Sequence, residues 1–82
     1  MQCSVELTLY PLQDEYLQII QAFIEKLNSY QGLKIQTFPT ATIIGGDYDA
    51  VMDCLKESLR WSTENQGKAV FVAKILPNYE AI

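Results

Sequence analysis

Two kinds of hydrophobic periodicity alternate along this chain, and their order leaves few folds open. From Cys3 to Leu9 the residues alternate, with Cys3, Val5, Leu7 and Leu9 on one side and Ser4, Glu6, Thr8 and Tyr10 on the other. A period of two is the mark of a half-buried strand. Pro11 closes it, and Asp14 is placed to cap a helix whose stripe Leu17, Ile20, Phe23, Ile24, Leu27 advances by threes and fours. Gly32 suits the position just past that helix. Leu33 to Phe38 and Ala41 to Gly45 read as two short strands, and the tight Pro39-Thr40 turn makes them an antiparallel hairpin. Asp47 caps a second helix with Val51, Met52, Leu55 and Leu59 on one face, which ends before Gly67; Lys68 to Leu76 is the last strand.

The order strand, helix, strand, strand, helix, strand predicts an α+β chain: a ferredoxin-like βαββαβ sandwich in which two helices cover one face of a four-stranded antiparallel sheet. Right-handed crossovers put the first and third strands at the centre. The 82 residues make one domain, 1–82, since two cores do not fit in this length. A chain this short buries only about 60% of its unfolded surface. One sheet face is therefore expected to lie bare, which predicts a partner for it.

Charge and residue types narrow the chemistry. Six basic residues against ten acidic ones give a net charge of −4, which disfavours nucleic acid as a partner. There is no histidine, and Cys3 and Cys54 are far apart, so no metal site is expected and no catalytic residue has a base beside it. Two isolated cysteines in apolar patterns fit a reducing, cytoplasmic setting. No apolar run approaches the roughly 20 residues of a membrane span, and no signal-peptide pattern opens the chain.

The candidate site residues lie on the outward side of the first strand. Glu6 needs either solvent or hydrogen-bond partners there. Ser4 and Thr8 share its side, and Thr42 belongs to the strand expected to pair beside it, so a hydroxyl and carboxylate row is expected to cross the open sheet. Such a row suits a small polar ligand, and equally a polar contact with a second subunit. The Gly45-Gly46-Asp47 turn is no phosphate loop, because no lysine follows and Asp47 and Asp49 carry negative charge. Tyr10, Tyr16, Tyr48, Phe38 and Trp61 are candidates to stack on a flat ring, although aromatics at such positions more often fill a core or a subunit contact; Tyr48, beside that turn, is the best placed. Trp61 is expected at the side of the second helix away from its apolar stripe, with Ala50, Cys54 and Glu57. Lys74 either pairs with Glu6 across the sheet or, the preferred reading, snorkels at its edge.

Three stretches together resemble a known family: Val5-Glu6-Leu7-Thr8-Leu9-Tyr10-Pro11-Leu12, then Ala41-Thr42-Ile43-Ile44-Gly45-Gly46-Asp47-Tyr48-Asp49-Ala50-Val51-Met52, then Gly67-Lys68-Ala69-Val70-Phe71-Val72-Ala73-Lys74-Ile75-Leu76. They are similar to the thiamine/hydroxymethylpyrimidine-binding, YkoF-like proteins, in their single-domain form. The resemblance implies a cytoplasmic, non-catalytic protein that binds thiamine or its hydroxymethylpyrimidine precursor without a cofactor, in connection with vitamin B1 uptake or salvage. It further implies ligand contacts at Glu6, Thr8 and Thr42 and, because such proteins can carry two of these domains in tandem where this chain holds one, a homodimer or a dimer of dimers. The alternative is a homo-oligomeric assembly protein whose open face only joins subunits.

Overall fold

The computed structural model describes residues 1–82. Its elements are β1 (Gln2–Pro11), α1 (Tyr16–Asn28), β2 (Lys34–Thr37), β3 (Thr42–Asp47), α2 (Tyr48–Gln66) and β4 (Ala69–Pro77). The sheet is antiparallel throughout in the order β2-β3-β1-β4, with β1 and β3 central and both helices on one face. This is the ferredoxin-like sandwich that the periodicities predict.

The alternation of β1 sets the core. Cys3, Val5 and Leu7 are buried beneath the helices together with Ile44 of β3, Phe23 and Leu27 of α1, and Val51, Cys54 and Leu55 of α2. Directly opposed residues in an antiparallel pair share a face. Val5 lies opposite Ile44, and Leu7 opposite Thr42, so all four point to the helices.

Several local features depart from the sequence reading. Asp14 does not cap α1: Glu15 holds the cap position and makes no side-chain cap bond. The cause is the preceding segment, where Leu12 N–H donates to the Lys68 carbonyl and the Gln13 amide to the Gln66 carbonyl, so the chain leaves the sheet one residue too late for Asp14. Helix α1 also ends earlier than Gly32, with the Ser29 hydroxyl donating to the Lys26 carbonyl at 2.6 Å. Asp47 does cap α2, accepting from Ala50 N–H. No loop separates β3 from α2; Gly46, at φ +154°, makes this possible, since a Cβ there would meet Leu33 Cδ2 at 2.8 Å.

The buried face of α2 is rotated from its expected stripe. Val51, Cys54, Leu55, Ser58 and Ser62 face inward, while Met52, Leu59 and Trp61 pack only partly against the core. Cys54 therefore belongs to the core rather than to an outer side with Trp61. Small residues let the helix sit close, and the Ser58 hydroxyl satisfies itself on the Leu55 carbonyl.

The second sheet face is not wholly bare. At Asn78, φ +57°, the chain turns back, its N–H donating to the Gln2 carbonyl at 2.7 Å. The segment 79–82 then runs over the sheet. Ser4 is fully buried beneath it: its hydroxyl donates to the Tyr79 carbonyl at 2.8 Å and accepts from Ala81 N–H at 2.9 Å. Gly45, opposite Ser4, leaves room for the Ile82 side chain. Replacing Ser4 by Ala strips the Tyr79 carbonyl and Ala81 N–H of their partner, with an expected loss of about 1–2 kcal/mol in urea unfolding and faster hydrogen exchange at Ala81.

Candidate functional site

Strand β1 is longer than its neighbour. Its pairing with β3 ends at Leu7, whereas its pairing with β4 runs on to Pro11 opposite Ala69. Beside this overhang, between α1 and the β2–β3 hairpin loop, a cleft of about 450 Å³ opens on the helix side of the sheet. Pockets of this size hold small organic ligands.

Each wall follows from a local pattern. Leu7 and Leu9 supply the β1 side, and Tyr16, Ile20, Phe23 and Ile24 supply one face of α1. The hairpin closes the third side: Phe38 N–H donates to the Ala41 carbonyl at 2.7 Å, and the Thr8 hydroxyl holds the loop to β1 through the Thr40 carbonyl at 3.1 Å. Thr37, which is exposed, and Thr42 face each other across the hairpin, Oγ1 to Oγ1 3.2 Å. Thr42 is almost fully buried. Two hydroxyls bonded to each other keep one donor and several acceptor positions free for a third group. No lining residue is charged, so this hydroxyl pair sits in a neutral, mostly apolar chamber.

The five residues singled out in the sequence are not brought together. Thr8 and Thr42 reach the cleft. The hydroxyl and carboxylate row across the open face does not form with Thr42, because the register that puts Thr42 opposite Leu7 turns it to the helices; Ile43 lies opposite Glu6 instead. Glu6 is on the open face, with Oε1 3.9 Å from Lys74 Nζ, so Lys74 faces Glu6 rather than snorkelling alone. The pair is solvent-exposed and worth little energetically. Ser4 is engaged by the 79–82 segment. Tyr48 stands at the opposite end of β3 from the cleft, its N–H donating to the Met1 carbonyl. Tyr16 and Phe38, two of the aromatics that the sequence offered for stacking, do line the cleft; Thr37 went unnoticed, although a four-residue loop between Thr37 and Thr42 implies that the two threonines pair.

Other polar groups are structural. Lys26 lies over the rings of Tyr30 and Trp61, at 5.3 and 5.8 Å from their centroids, and so links α1 to α2. Burial first, and the charge of Glu57 second, push the Cys54 thiol up from 9.0 to about 11; Lys26 pulls weakly the other way. Burial also raises the Tyr30 hydroxyl. Both cysteines are buried free thiols, and no three thiol or carboxylate side chains cluster as a metal site would require. No helix is long and apolar enough to cross a membrane.

A ferredoxin-like sandwich with a neutral cleft between its first helix and its central hairpin defines a small α+β class. Solved structures of the same shape include a Streptococcus pneumoniae protein (TM-score 0.86, 23% identity, covering 96% of this chain and 89% of that one). A Thermotoga maritima protein provisionally assigned to thiamine biosynthesis or salvage matches at TM-score 0.81 and 25% identity, over 99% and 86% of the two chains. A Methanocaldococcus jannascii protein of unassigned function matches at 0.77 and 22%, over 96% and 82%. No curated protein is significantly similar in sequence. Residues 2–76 match the model of the YkoF-related family, and the chain belongs to that family.

The raised thiol fixes a pH dependence. Between about pH 9 and 11 the unfolded chain loses a proton that folded Cys54 retains, so stability falls as pH rises through this window, by up to about 1.4 kcal/mol per pH unit. Below that window the contribution is constant. Urea midpoints of wild type and Cys54→Ala across this range measure it: the variant's curve is expected to be flatter.

Proposed function

We propose that this protein binds thiamine or its hydroxymethylpyrimidine precursor without transforming it, in the service of vitamin B1 uptake or salvage, with the pyrimidine in the cleft beside β1. The observation that carries the reading is the Thr37–Thr42 hydroxyl pair in an uncharged, apolar chamber. An aminopyrimidine is flat, neutral and edged with donors and acceptors. It matches a wall of Leu and Phe side chains around a polar floor. Family membership and the provisional assignment of the Thermotoga maritima protein supply the ligand class. The cleft provides no basic side chain for a pyrophosphate tail, so the unphosphorylated compounds are the ligands.

Isothermal titration tests this. Both compounds should bind saturably. Thr42→Val should weaken binding by about tenfold, the worth of one lost hydrogen bond to a buried group, and Thr37→Val, at an exposed position, by less. Glu6→Gln, on the other sheet face, is the control and should leave affinity unchanged. Absence of saturable binding for either compound overturns the reading.

A second reading concerns assembly and is compatible with the first. Val70 and Val72 of β4 are 46% and 55% exposed and lie opposite Tyr10 and Thr8 on the open face. A homodimer formed by apposing this part of the sheet, or a dimer of dimers, would cover them. Light scattering reads the mass directly.

A further inference from the structure

The loop between β2 and β3 walls the cleft, yet little ties it down. Phe38, Pro39, Thr40 and Ala41 all line the cavity, and the first three are exposed. The backbone ladder stops short of them: β2 and β3 end at the Thr37–Thr42 pair, and β3 meets β1 no further than Thr42 opposite Leu7. Within the loop, Phe38 N–H donates to the Ala41 carbonyl. One hydrogen bond joins residues 38–41 to the rest of the molecule, from the Thr8 hydroxyl to the Thr40 carbonyl at 3.1 Å.

The place of Thr8 in β1 accounts for this bond. Had the ladder run one rung further, Thr8 would face Ala41; its side chain bonds Thr40 instead. Its neighbours Leu7 and Leu9 face the helices, whereas Thr8 lies opposite Val72 on the open face. The hydroxyl therefore takes hold of the loop past the end of β3, from the far side of the sheet, and adds no polar group to the apolar wall of Leu7 and Leu9. From this we infer that Thr8 is the latch of a hinged wall: it holds loop 38–41 across the cleft, and the loop swings about the Thr37–Thr42 rung to admit and release the ligand. Lids of this kind bend where a regular element ends. A neutral hydrogen bond favours the closed arrangement by only about threefold to tenfold, so the wall opens readily. Thr8 is thus a positioning residue, acting on the ligand through the loop. The inference rests on the cleft being the ligand site.

The test compares wild type with Thr8→Val, which keeps size and branching at a half-buried strand position and so keeps the fold, and with Thr8→Ser, which keeps the hydroxyl. Amide nitrogen relaxation of the free protein reads the latch. In Thr8→Val, Phe38, Thr40 and Ala41 should become mobile, either as order parameters falling from about 0.85 toward about 0.6 or as millisecond exchange broadening, while Ile43 and Ile44 stay rigid. Surface plasmon resonance with thiamine and hydroxymethylpyrimidine over the tethered protein reads the gate. Thr8→Val should raise both the association and the dissociation rate by about threefold to tenfold and change the affinity less than either rate, because opening precedes both entry and exit. Thr8→Ser should restore the loop and both rates. Losing a direct ligand contact would accelerate dissociation alone, so that result overturns the inference. A loop as rigid in Thr8→Val as in wild type overturns the latch, and a mobile loop with unchanged rates overturns the gate. If neither compound binds wild type, the cleft falls as the ligand site and the gate with it, whereas the relaxation measurement still decides the latch.

Discussion

The pairing of β1 with β3 decides which side of the sheet every functional group faces. With Val5 opposite Ile44 and Leu7 opposite Thr42, the apolar side of β1 and the threonine of β3 are committed to the helices together. A shift of one residue would reverse this assignment, exposing Val5 and Leu7 and burying Glu6. The cost of burying an unpaired carboxylate in place of two aliphatic side chains makes the observed register the only sustainable one. The same pairing, by stopping at Leu7 while β4 continues to Pro11, leaves the overhang beside which the cleft forms. Core and cleft are thus two consequences of one register.

The fold was legible because each element carries an unambiguous period. The alternation of β1, the three-and-four spacing of α1 and the glycines at the turns each point to one answer. The site was less legible, and Thr42 shows why. In β3, Ile43 and Ile44 are adjacent and both apolar, so the strand's own pattern does not state which of its faces is inward. Only the partner residue in β1 resolves it, and register is a property of two strands. Likewise α2 has apolar residues at Met52 and Leu59 that suggest one buried face, whereas Ser58 and Ser62 define the true one. Small polar residues mark close approach of a helix, a signal that hydrophobicity alone misses.

The open face illustrates a different limit. Four strands and two helices leave one sheet surface uncovered, as the length of the chain demands. Part of that surface is claimed by the chain itself, where Ser4 anchors segment 79–82 through a donor and an acceptor bond made by one hydroxyl. Ser4 was expected in a polar row facing a ligand, and its hydroxyl is instead engaged by the chain itself. What remains uncovered is the Tyr10, Val70 and Val72 end, at which β1 has passed beyond β3.

The two sides of the sheet consequently divide the work. On the helix side the cleft is lined by neutral residues, and a hydrogen bond made there by Thr42, almost fully buried, meets little competing water. On the other side, charge is present but paired in solvent, as Glu6 and Lys74 are. A ligand held in the cleft would touch β1, α1 and the hairpin at once, three elements that also share the core through Leu7, Phe23 and Ile44. Binding to the folded state alone would stabilise it by mass action, tying the hairpin loop to α1 and β1.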